Sequence, residues 1–161
     1  MDVPHERRDV ALTTGVAALD ADRPDLAEQP LLESLSLAVS DEWGDAEIEL
    51  SARQALGTVY RRTGRYVEAI DQYQAALRLA KRLRDELEVA EIRGRLAIAL
   101  RYVDELDQAA AEYGQALTTF RRYDLRYQVA VNQMNLASTL FLLGRPEEAL
   151  DAALNALALF D

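Results

Sequence analysis

The chain of 161 residues carries a single histidine, His5, and no cysteine. A hydroxyl nucleophile needs a neighbouring base, and a transition-metal site needs clustered imidazole, thiolate or carboxylate ligands. His5 stands alone in "MDVPHERRDV" and reads as a surface residue near the N-terminus. The acid pairs Glu105/Asp107 and Glu147/Glu148 have the residue types for general acid–base work. They fall near the starts of expected helices, where negative charge complements the helix dipole. No glycine-rich phosphate loop is present. The residue types therefore predict no catalytic site, no metal and no cofactor.

Positive charge is the next chemistry to place. "RLAKRLR", Arg78 to Arg84, and "FRRYDLRY", Phe120 to Tyr127, are basic enough to suggest phosphate binding. Both fall at the ends of expected helices, where cations are favoured by the dipole. The net charge of −10 points the same way. Residues 1–50 hold 13 acids against 3 arginines, while residues 51–161 are balanced at 15 and 15. An acidic chain lacks the net positive surface that nucleic acid requires. No apolar run approaches the roughly 18 residues of a membrane span, and the N-terminus has no apolar signal region. The expectation is a cytoplasmic protein with no nucleic-acid or membrane partner.

The elements that position these residues repeat. "GRYVEAIDQYQAAL" begins at Gly64, "DELDQAAAEYGQAL" at Asp104 and "GRPEEALDAALNAL" at Gly144. The step from 64 to 104 equals the step from 104 to 144, so the period is constant. On that step Leu56, Leu96 and Leu136 align, as do Gly57, Ala97 and Ala137. Ala69, Ala109 and Ala149 align, and so do Leu77, Leu117 and Leu157. Tyr73 and Tyr113 align with Ala153. Small residues recur where two helices approach closely, and large ones where a gap between helices is filled. A fixed period of this size marks a repeat architecture.

Each unit reads as two helices, because apolar residues recur at helical spacing and turn signals interrupt them. The expected pairs are 46–62 with 66–83, 86–102 with 106–122, and 126–143 with 146–160. Gly64 suits a left-handed helix cap, and Pro146 suits a first helical turn. Residues 6–45 carry a degraded unit, with helices at 6–20 and 24–41 and Trp43 in step with Leu83 and Tyr123. The expected organisation is one array over 1–161, with clear units at 46–85, 86–125 and 126–160.

Leu56-Gly57, Tyr60, Gly64, Tyr66, Ala69, Tyr73 and Ala76 resemble the tetratricopeptide repeat, or TPR. The sequence departs from the family pattern at the Trp position, which is Arg53, and at the closing Pro, which is absent near Lys81. The period, longer than the family's usual one, is similar to that of kinesin-light-chain-like and bacterial regulator TPRs. The resemblance implies an all-α solenoid of helical hairpins, about eight helices in four units wound as a right-handed superhelix. It also implies a non-catalytic protein-interaction module whose first helices line a concave, peptide-binding groove. The family's groove positions map onto Gln54, Thr58, Arg61 and Arg62, then onto Gly94, Arg95, Ile98, Arg101 and Tyr102. In the last unit they map onto Met134, Asn135, Ser138, Phe141 and Leu142. Gln54 and Thr58 stand where carboxylate-clamping members carry Lys and Asn, so the set departs from that clamp. Arg61, Arg95, Arg101 and Asn135 with the apolar end at Phe141 and Leu142 predict an acidic or amphipathic ligand. A sensor domain of a bacterial regulator and a self-assembling scaffold for enzymes remain as alternatives.

The sequence "LALFD" closes the last expected helix with no further polar helix after it. Leu150, Leu154, Leu157 and Phe160 share that helix with Ala153, Ala156 and Ala158. Part of this set is expected to pack on helix 126–143, and the remainder to be covered by another domain or by a second copy. The preferred expectation is a homodimer formed through this helix.

Overall fold

The computed structural model describes residues 3–40 and 44–160. Eight α-helices and no strand occur among the described residues. They are α1 (Pro4–Asp20), α2 (Pro24–Ala38), α3 (Ala46–Arg62), α4 (Tyr66–Leu83), α5 (Glu86–Tyr102), α6 (Leu106–Arg122), α7 (Arg126–Leu142) and α8 (Pro146–Leu157). The fold class is all-α, of the helical-hairpin type anticipated from the repeat. Helices α3 to α6 run over the residues expected from sequence. Helix α8 is shorter than expected: Ala158, Leu159 and Phe160 turn away, with Phe160 N–H donating to the Leu157 carbonyl at 3.0 Å. Trp43 lies outside the described residues.

Local chemistry fixes the helix starts. Asp45 accepts from the N–H groups of Glu47 and Ile48, both at 3.0 Å, and Asp85 accepts from Glu88 at 3.0 Å. These bonds satisfy donors that no helical carbonyl can reach. Pro4, Pro24 and Pro146 each open a helix, where a missing N–H costs no hydrogen bond. The turns are as regular as the helices. Gly64, Arg84, Asp104, Asp124 and Gly144 all have positive φ, between 54° and 78°, and they are evenly spaced along the chain. One helix with its turn thus makes half a repeat, and a second helix with its turn completes the period.

The chain divides into two compact units, Met1–Arg82 and Leu83–Asp161. In the first, α1 pairs with α2, and α3 packs on both. Small residues set the helix spacing here. A Cβ on Gly57 would lie 2.5 Å from the ring of Tyr73, and one on Gly15 would lie 2.4 Å from Leu31. Leu56, Val59 and Tyr73 are fully buried in this unit's core. In the second unit α5 pairs with α6, α7 packs on α6 and also touches α5, and α8 pairs with α7. Its core joins Ala90, Ala116, Leu117, Phe120 and Val129. A second cluster joins Ala137, Leu140, Ala149 and Ala152.

Candidate interaction surface

In the first unit, α3 carries the predicted positions Gln54, Thr58, Arg61 and Arg62. Gln54 is buried. The Thr58 hydroxyl lies 3.1 Å from the Gln54 carbonyl, to which it donates, and 3.2 Å from the Tyr73 hydroxyl. The Thr58 side chain therefore bridges its own helix and Tyr73 of α4. Arg62 donates to the Leu19 carbonyl at 3.0 Å and lies 3.5 Å from Asp22. Arg61 differs: it is half-buried, and its Nε is shielded from solvent without a hydrogen-bond partner among the described residues.

In the second unit, the predicted positions lie on α5 and α7. The two helices touch, and the repeat step relates their surfaces. Arg95 corresponds to Asn135, Ile98 to Ser138, Arg101 to Phe141, and Tyr102 to Leu142. Arg95, Tyr102, Ser138, Phe141 and Leu142 are exposed, while Ile98, Arg101 and Asn135 are half-buried. The Arg101 guanidinium lies 5.7 Å from the centre of the Tyr102 ring. The Ser138 hydroxyl is turned back onto the Met134 carbonyl at 3.2 Å. The Asn135 amide makes no side-chain hydrogen bond among the described residues. An Asn amide offers both donor and acceptor to a peptide backbone. The surface thus combines cation, amide and large apolar side chains.

Two mapped positions border neighbouring helices. Gly94 is buried against Asn132 of α7, whose Oδ1 would lie 2.8 Å from an added Cβ. That position points toward the neighbouring helix, beside the proposed ligand surface. Met134, its counterpart one repeat later, faces the corresponding direction and lines an apolar cavity with α8.

The second unit also holds a cavity of about 320 Å³ lined by Arg121, Asp124, Arg126, Gln133 and Asn155 together with Val129 and Leu159. Its cations are engaged: Arg121 donates to Gln133 at 3.0 Å and Arg126 to the Leu159 carbonyl at 2.7 Å. Elsewhere, charge organises the turns. Arg65 is ion-paired with Glu28 at 2.8 Å and also with Glu68, and it lies 4.2 Å from the centre of the Tyr60 ring. Its hydrogen bond holds the Glu68 carboxyl below the ordinary value. Burial, followed by the nearby Glu28 charge, pushes the Tyr60 hydroxyl up. Among the described residues, no His, Asp and Glu side chains group to hold a metal ion. No helix of the described residues is long and apolar enough to cross a membrane.

The sequence pattern of the tetratricopeptide repeat matches residues 6–82 and 47–122, more than half of the chain. The chain belongs to the tetratricopeptide repeat family. Solved TPR-like folds agree with this assignment. BtubC (BKLC) from P. vanneervenii is 22% identical with a TM-score of 0.77, over 99% of this chain and 74% of that one. The apo form of RapI is 12% identical with a TM-score of 0.89. The match covers 99% of this chain, which spans 57% of the RapI chain. The TPR-like repeats of a Podosopora anserina putative kinesin light chain are 14% identical with a TM-score of 0.79, over 98% and 76%. A comparison with curated protein sequences finds no match. At these identities the TPR structures speak for the fold, and function rests on this chain's own surface.

Proposed function

We propose that this TPR protein is a non-catalytic interaction module, and that the α5–α7 surface receives a protein segment carrying acidic and apolar side chains. The observation that supports it best is the pairing of Arg101 with Phe141 and of Tyr102 with Leu142 at equivalent positions of neighbouring helices. A segment crossing the two helices meets positive charge on α5 and apolar surface on α7. The Asn135 amide lies at hand for its backbone. Arg95 adds charge, and the Ser138 hydroxyl, turned onto its own helix, leaves a smooth surface there.

The test is binding of fluorescent acidic, amphipathic peptides, followed by anisotropy, with basic peptides of the same apolar pattern as the control. The proposal expects acidic peptides to bind and basic ones not to. It expects the Arg101→Ala and Phe141→Ala changes each to weaken binding. Equal binding of both peptide classes, or binding that survives both substitutions, refutes it.

A further inference from the structure

The second unit contains the same packing site twice, once filled and once open. In the filled one, Ala90, Ala116, Leu117 and Phe120 enclose Val129 at the start of α7. One repeat later, the first four become Ala130, Ala156, Leu157 and Phe160. These line a cavity of about 260 Å³ together with Val131, Met134 and Ala153. Leu117 and Phe120 are 2% and 1% exposed, whereas Leu157 and Phe160 are 62% and 73% exposed. The cavity they line is open. Ala153 enlarges it, since the corresponding residues Tyr73 and Tyr113 are fully buried aromatic side chains. The cavity is therefore shaped for an aliphatic side chain presented by a helix.

The same surface carries such side chains. Leu150, Leu154 and Leu157 project from α8 at spacings of four and three, and all three are exposed. The helix packs on α7 through Ala149, Ala152 and Ala156 instead. Projections and cavity on one face make a self-complementary surface, the requirement for a two-fold interface. Head-to-tail stacking fits poorly. Gly15 stands against Leu31 as Gly57 stands against Tyr73, which sets the register of α1 and α2 on α3 and α4. Carried back from Val129 through Val89 and Glu49 in that register, the place of Val129 falls on Arg7. Stacking α1 on the open end would press Arg7, ion-paired with Glu33, into an apolar cavity.

We propose that the exposed face of α8 binds a second copy of this chain, with the two α8 helices antiparallel and a leucine of each seated in the other's Ala130–Ala156–Leu157–Phe160 cavity. Charge agrees with the antiparallel sense. The first turn of α8 carries Glu147 and Glu148, with Asp151 one turn later; Arg145 at the helix start pairs with Glu148, which leaves Glu147 and Asp151 in excess, and the helix has no basic residue in its last turn. Arg126 reaches the Leu159 carbonyl just beyond the helix end. Antiparallel pairing brings the acidic end of one helix toward Arg126 of the other copy. The proposal does not depend on the α5–α7 surface.

Light scattering on the full chain at high micromolar concentration measures the mass, and the absence of cysteine lets single-cysteine variants report proximity. The wild type is expected to be a dimer, and Leu157→Glu a monomer with an unchanged helical spectrum. Ala153→Tyr fills the cavity without adding charge and is expected to raise the dimer dissociation constant about tenfold or more. Leu154→Cys is expected to cross-link into dimers, and Val10→Cys not to. A monomeric wild type overturns the proposal. So does a dimer that survives both α8 variants, or a mixed cross-link between Val10→Cys and Leu154→Cys chains.

Discussion

A Cβ placed on Gly57 would lie 2.5 Å from the Tyr73 ring, closer than van der Waals contact allows. Tyr73 is fully buried and its hydroxyl lies 3.2 Å from that of Thr58, so the ring has no free space into which to move. The glycine therefore sets the distance between α3 and α4. Gly57→Ala is expected to overpack this contact and destabilise the protein by about 1–3 kcal/mol. Urea unfolding measures the change, and an unaltered midpoint would show that the contact does not set the helix spacing.

The five evenly spaced turns invite a second substitution. Arg84 has a φ of 58° without being glycine, and the left-handed conformation costs an L-residue about 1–2 kcal/mol. Arg84→Gly is expected to relieve most of this and raise the melting temperature, by less than about 4 °C once glycine's own entropy is counted. Gly64→Ala, at φ 78°, is expected to lower it. Calorimetry on the two variants gives opposite signs if backbone conformation dominates at these turns. Equal signs would place the control in side-chain contacts.

Acid pH addresses the ion pairs at the turns. The hydrogen bond from Arg145 holds the Glu148 carboxyl below its ordinary value of 4.5, as that from Arg65 does for Glu68. A carboxylate depressed in the folded state contributes stability that is present above the unfolded value and lost as pH falls through the folded one. Both groups are exposed, so the contribution is screened and small. Carboxyl carbon NMR is expected to show both midpoints below 4.5, with Glu148 returning to the ordinary range in Arg145→Met. An unchanged Glu148 midpoint in that variant contradicts the pairing.

Salt separates charge from apolar contact at the α5–α7 surface. Screening acts on Arg95 and Arg101 and leaves the contact at Phe141 largely intact. Removing the two arginines is expected to weaken an acidic peptide strongly at low salt and little at high salt. The Phe141→Ala loss is expected to be similar at both. Identical salt profiles for the two variants would remove the arginines from the contact.

The fold was legible because a repeat states its architecture several times. The Leu56, Leu96 and Leu136 series and the Gly57, Ala97 and Ala137 series place the last three units, and the bounds of α3 to α6 follow from the breaks between them. The turns were half legible. Gly64 and Gly144 announce a left-handed residue, whereas Arg84, Asp104 and Asp124 adopt the same conformation with no glycine to mark it. Helix α8 ends at Leu157, where the Leu159 and Phe160 N–H groups bond to the Ala156 and Leu157 carbonyls, a turn that apolar periodicity does not reveal. Surface residues were the least legible. Gln54 and Met134 occupy correct helical positions, but only packing shows that Gln54 is buried and that Met134 borders the cavity beside α8.

The most direct test is an amide NMR titration of the isotope-labelled protein with an acidic, amphipathic peptide that binds it. The account predicts shifts concentrated at Arg95, Arg101, Tyr102, Asn135, Ser138 and Phe141, with the face of α6 unmoved. Shifts confined to α6, or to α8 without α5 and α7, would contradict it.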